Sequence, residues 1–273
     1  MIAKPTGSPS AAGTAGVRSE ERARVVRMLA EGGCVAPGAE ADALFRAASE
    51  GVGPIEELVA RRLRGEPLAW ITGRVRFCGV RLCIDAGVFV PRPHSEALAR
   101  RAVSLLPAAG RAVDLCTGSG AVAAVLGWAR RRATVVATDV DPVAVECARR
   151  NGVRALLGNL DEPLPPSWRG RVDVMTAVVP YVPTEELHLL PRDVLANEPR
   201  RALDGGPRGT AVLQRAAETA ARWLRHSGSV LLEIGGDQAD EMASTLADAG
   251  LSKIRVHRDS DGHDRAIEAR RPD

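Results

Sequence analysis

Aromatic side chains are scarce in this chain. It has one Tyr, three Phe and four Trp in 273 residues, so a ring placed in a motif calls for its own explanation. Lysine is nearly absent, with Lys4 and Lys253 the only two, and every other basic side chain is arginine. Together with abundant Ala, Gly and Pro, that skew looks like GC-rich coding rather than selection for phosphate contacts. The net charge is only +3, and arginine clusters such as Arg61-Arg62 and Arg130-Arg131-Arg132 lack interleaved aromatics. They read as solvated helix faces and argue against a nucleic-acid track. The five cysteines (Cys34, Cys78, Cys83, Cys116, Cys147) are scattered and form no Cys-x-x-Cys pair. Neither a metal site nor a disulfide framework is supported, and a reducing cytoplasm fits best. No window of about 18 uncharged apolar residues occurs, which excludes a membrane-spanning helix. The first residues lack the apolar core of a signal peptide and read as a disordered leader, to about Val17.

What is present is 45% hydrophobic and 26% charged residues, normal for a soluble globular protein. Ser19 before Glu20 and Glu21, followed by Val25, Val26, Met28 and Leu29, reads as a capped amphipathic helix ending at Gly32-Gly33. Further helices are expected over about 39–49 and 54–63, giving a helical N-terminal domain at 19–73 behind a leader at 1–18. From Arg74 the period changes. Val75, Phe77, Val80, Leu82 and Ile84 alternate around Cys78-Gly79 as a β-hairpin, and a helix follows from His94 to about Leu106. That hairpin and helix form a linker at 74–107. Beyond it, strands are expected near 111–116, 133–138, 153–157, 171–177, 228–234, 253–258 and 264–269, with helices between them. The alternation implies a doubly wound, mostly parallel α/β sheet over 108–273.

Two segments carry chemistry. Asp114-Leu115-Cys116 leads from a strand into Thr117-Gly118-Ser119-Gly120 and then a helix. The glycines let the backbone pass close under a ligand, and the helix start offers free N–H groups. Asp139 ends the next strand, about 20 residues on, where a carboxylate accepts both ribose hydroxyls of a nucleoside. A dinucleotide would bring a pyrophosphate, which Asp114 would repel. S-adenosylmethionine carries a sulfonium and an ammonium and no phosphate, so it suits the acid better. The second segment is Val178-Val179-Pro180-Tyr181, directly after a buried-looking strand. The lone tyrosine stands there, where open α/β sheets bind ligands.

These motifs, with Glu198-Pro199-Arg200 downstream, resemble those of class I methyltransferases of the HemK/PrmC type. That family methylates the side-chain amide of glutamine in a Gly-Gly-Gln motif of peptide-chain release factors. The resemblance extends to Gly65-Glu66-Pro67-Leu68, Val90-Pro91-Arg92-Pro93, Ala202-Leu203-Asp204-Gly205-Gly206, Leu232-Glu233-Ile234-Gly235 and Gly262-His263-Asp264-Arg265, and covers roughly residues 20 to 270. It implies a seven-stranded Rossmann-like methyltransferase sheet, S-adenosylmethionine as cofactor and a protein substrate, a release factor or another translation-related protein. It also implies that Asp114 and the loop Cys116, Thr117, Gly118, Ser119 and Gly120 hold the methionine moiety. Asp139 and Val140 would hold the ribose, Asn159 and Leu160 would lie near the adenine, and Pro91 and Pro93 would line the pocket. His263 and Arg265 resemble a family hairpin with a structural role.

The chain departs from the family at three places. Asn159 stands where an acidic residue is usual, and an Asn can still accept from or donate to the adenine edge. His94 stands where the family has an acidic residue, and it reads as a helix-start residue rather than a catalytic base. Where the family has Asn-Pro-Pro-Tyr, this chain has Val178-Val179-Pro180-Tyr181. Val178 makes no side-chain hydrogen bond, whereas the family's Asn and a backbone carbonyl orient the amide. Three readings follow: transfer to a different acceptor, transfer to glutamine with fewer hydrogen bonds, or a cofactor-binding module without catalysis. Glu198 and Arg200 either orient the substrate loop or form an ion pair. Cys116 has no paired His nearby in sequence and is expected to pack as a small apolar side chain.

Overall fold

A computed structural model describes residues 11–273. Of the expected leader, residues 1–10 lie outside the described residues. The remainder is helical, because α1 spans Ala11–Glu31. Ser19 therefore lies inside the helix rather than capping it. The stretch before it carries alanines and no proline, so nothing local interrupts the turns.

The chain divides into two compact units, with the boundary after Thr72. In the first, α1 is followed by α2 (Pro37–Ser49), α3 (Ile55–Leu63) and α4 (Leu68–Thr72). The last was not expected. It is a single short turn after Pro67 that buries Ala69 and Ile71. Val25, Leu29, Leu44, Leu58, Val59 and Ile71 form this unit's core.

The second unit takes in the hairpin and helix expected as a linker. Strands β1 (Arg74–Phe77) and β2 (Val80–Cys83) pair antiparallel, and α5 covers Ser95–Leu105. The turn residues Cys78 and Gly79 both have positive φ, as a two-residue hairpin turn requires. After α5 the order is β3 (Arg111–Leu115), α6 (Ala121–Ala129), β4 (Thr134–Asp139), α7 (Pro142–Arg150), β5 (Ala155–Leu157) and β6 (Val172–Ala177). Then come α8 (Arg192–Asn197), α9 (Ala211–Trp223), β7 (Leu224–Glu233), α10 (Ala239–Asp248), β8 (Ser252–Arg258) and β9 (Asp264–Arg270).

The seven strands from β3 to β9 form one sheet in the order β5-β4-β3-β6-β7-β9-β8. All neighbours are parallel except those of β9. Ala112, Val113, Asp114 and Leu115 in β3 are all buried. Successive strand residues point to opposite faces, so this run requires cover on both sides of the sheet.

The chain winds outward from β3 through β4 to β5, then returns to β6 on the other side of β3. The winding therefore reverses between β3 and β6, where such sheets open a crevice at their carboxyl ends. Leu115 is registered opposite Ala177, so the segments that follow them leave the sheet side by side.

Leu115 is fully buried at the end of β3, within the main core cluster. Leu115→Ala is expected to lower stability by about 2–5 kcal/mol, read as a lower urea midpoint with an unchanged slope.

Candidate functional site

A cavity of about 910 Å³ opens at the carboxyl ends of the strands in the second unit. Four segments leaving β3, β4, β5 and β6 line it. Of the sequence-predicted residues, Asp114, Cys116, Thr117, Gly118, Ser119, Asp139, Val140, Asn159, Leu160, Val178, Val179, Pro180, Tyr181 and Pro91 all face this one space. Two do not. Gly120 is left-handed (φ 80°) and caps α6, and a Cβ there would meet Ala148 and Val153 at 3.0 Å. Its place is close packing on α7 rather than ligand contact. Pro93 is exposed, its carbonyl accepting the Glu96 N–H as the chain turns into α5.

The two acids at the glycine loop share one property: no cation pairs with either of them among the described residues. Asp114 is 2% exposed, and its carboxylate accepts hydrogen bonds from the hydroxyls of Thr117 and Thr176, both at 2.6 Å. Burial outweighs those bonds and raises its pKa to about 6. Asp139 accepts from the backbone N–H of Gly118 (2.8 Å) and of Asp141 (2.9 Å), and burial raises its pKa as well. Cys116 packs against the core cluster, and burial pushes its thiol up, away from nucleophilic use.

In the same cavity, Tyr181 is held from several sides. Its ring lies against Gly235, where a Cβ would meet ring carbons at 2.9 and 3.1 Å. Its carbonyl accepts from the Gln238 side-chain amide at 2.8 Å. Its hydroxyl lies 3.5 Å from His94 Nε2, which in turn is 3.3 Å from Glu233 Oε1. Burial first, then the charge of Glu233, pushes the phenol pKa up. Sequence reasoning gave no part to Gly235, Gln238 or Glu233, although Glu233 and Gly235 fell in a segment that carried the family resemblance. His94 occupies the N-cap position of α5 but makes no side-chain cap. Its ring faces the cavity instead.

Glu198 is buried and pairs with Arg92 at 2.7 Å, and Arg92 also lies over the Phe89 ring. The surface pair expected between Glu198 and Arg200 is not formed, because Glu198 is buried against Arg92 instead. Arg200 is exposed and pairs with Asp204. At the turn before β9, Asp259, Asp261 and His263 offer ligand atoms within 4.8 Å of one another. Asp259 is already engaged by Arg265 at 2.7 Å and by the N–H groups of Asp261 and His263, so the cluster closes the turn.

Comparison with known proteins gives the class. A methyltransferase from Pyrococcus furiosus superposes with a TM-score of 0.52 at 20% identity, covering 70% of this chain and 90% of that one, which shows the fold. No family model matches the chain. The release factor glutamine methyltransferase of Bordetella pertussis is 37% identical over 77% of this chain and 79% of that protein. That of Geobacter sulfurreducens is 33% identical over 78% and 76%. The chain belongs to the release factor glutamine methyltransferase family, and it is a methyltransferase with a seven-stranded Rossmann-like sheet.

Two outcomes are expected. The pKa of Asp114 lies above the ordinary ~3.9 of an unfolded aspartate, so the folded state binds the proton more tightly. Stability then falls as pH rises from about 4 to about 6 and levels off above. Asp114→Asn should therefore raise the Tm of the ligand-free protein at alkaline pH, with the gain vanishing in acid. A destabilised variant at alkaline pH would contradict this. Gly235→Ala should displace the Tyr181 ring, lowering methyl transfer while cofactor affinity, read by calorimetry, stays near wild type.

Proposed function

We propose that this chain transfers a methyl group from S-adenosylmethionine to the side-chain amide nitrogen of a glutamine in a release-factor-type protein, in the cytoplasm. One observation carries the reading. The glycine loop with its two acids and the Val178–Tyr181 segment line a single cavity.

The donor set fits the cofactor. A buried carboxylate without a cationic partner suits an ammonium, which would stabilise the charge that burial disfavours. Asp139, a buried carboxylate held only by backbone N–H groups, suits the ribose hydroxyls. Asn159 offers both a donor and an acceptor to an adenine edge. Bound there, S-adenosylmethionine supplies an electrophilic methyl group.

At the acceptor end, an amide nitrogen is a poor nucleophile because its lone pair is delocalised, so orientation governs the rate. The Val179 carbonyl accepts no backbone hydrogen bond among the described residues and is available to one amide N–H. The Tyr181 ring supplies a flat wall. Val178 supplies no hydrogen bond, so part of the amide edge goes unpaired on that side. The cost is about 1–3 kcal/mol, or about one to two decades in rate.

The test is methyl transfer from labelled cofactor to a purified release factor. Label is expected on the glutamine of Gly-Gly-Gln and absent when that glutamine is replaced. Val178→Asn is expected to raise kcat/KM by about one to two decades. Label on another residue type would instead support a divergent acceptor. No cofactor binding at millimolar concentration would overturn the reading entirely.

A further inference from the structure

Methyl transfer to a neutral amide leaves one proton too many on its nitrogen. The N–CH3 bond forms as the S–CH3 bond breaks, with that electron pair going to sulfur. An N–H proton must then pass to a base. Several titratable side chains face the cavity, and most are committed elsewhere. Asp114 and Asp139 lie at the end proposed for the cofactor. Asp141 caps α7 through the Val143 N–H at 3.0 Å and lies 3.6 Å from Arg201. Asp204 is held below the usual carboxylate range by the Thr184 hydroxyl, which makes it a weak base. Burial keeps the Cys116 thiol and the Tyr181 phenol protonated.

His94 remains. Its Nε2 faces Glu233 Oε1 at 3.3 Å, and Glu233 is 1% exposed. A carboxylate only accepts, so Nε2 carries the proton and Nδ1 is left with its lone pair. Nδ1 has no hydrogen-bond partner among the described residues.

Resting on the glutamine reading above, we propose that His94 Nδ1 accepts the amide proton during methyl transfer. Glu233 is the positioning residue that fixes the tautomer. The side chain at position 94 thus restores, from α5, part of the hydrogen bonding that Val178 removes from the end of β6.

Two measurements on the full chain test this. Histidine-selective 15N NMR, well above the ordinary histidine pKa of ~6.5, is expected to show His94 as the Nε2–H tautomer, and Glu233→Gln should shift that balance. A predominant Nδ1–H tautomer overturns the proposal. In single turnovers on a release factor, His94→Asn should slow transfer about 100-fold or more while leaving cofactor Kd within about twofold.

The acid limb of the wild-type rate profile should also disappear in that variant. The groups facing the imidazole are Glu233 from β7 and Tyr181 after β6, and Arg92 and Arg265 act on the Tyr181 phenol. Unchanged rates in active His94 variants overturn this inference alone. A wild-type protein that methylates no release factor overturns the glutamine reading, and this inference with it.

Discussion

The pairing of β3 with β6 is the constraint from which the site follows. Their parallel register sets Leu115 opposite Ala177, in the middle of a seven-stranded sheet covered on both faces. A slip of one residue would turn Asp114 to the other face of the sheet. It would also separate the Thr117 and Thr176 hydroxyls from the carboxylate they now share. The placing of Asp114 beside the segment after β6 is therefore held by backbone hydrogen bonds between two buried strands.

Around this frame the site concentrates features that do not favour folding. Asp114 and Asp139 are acids taken from water with no cation beside them among the described residues, and Glu198 is buried against Arg92. Such groups are costly in an empty protein and become useful when a ligand of opposite character arrives. The apolar cluster of β6, β7, α9 and α10 has none of these features, with Met175, Leu213, Leu232 and Met242 at zero exposure. It carries the stability that the cavity walls give away.

The alternation of strands and helices was legible because each buried strand is a short apolar run with its own boundary. That residues after β3, β4, β5 and β6 line one space was legible because the fold class opens a crevice at strand ends. Where local signals misled, the reason is local too. A strand is expected near 228–234, yet β7 begins at Leu224. Ser227 takes a positive φ and the β6 register shifts there, so the apparent break is a bulge inside a longer strand. The support around Tyr181 was not legible at all. Gly235, Gln238, Glu233 and His94 reach it from distant parts of the chain, and nothing in spacing reports a contact between separate elements. The same holds for the Arg92–Glu198 pair, whose partners sit in two motifs that each looked self-contained.

The lack of a cation at Asp114 also bears on turnover. On the proposed function, this carboxylate meets the ammonium of the cofactor's methionine portion, which is the same group before and after the methyl leaves. Its attraction is thus uniform binding, holding donor and spent cofactor alike and lowering no barrier. Discrimination between them falls to whatever faces the sulfur, whose positive charge exists only before transfer. An enzyme built this way is inherently prone to inhibition by its own demethylated by-product, and its pace in the cell would follow the ratio of the two forms rather than the amount of either.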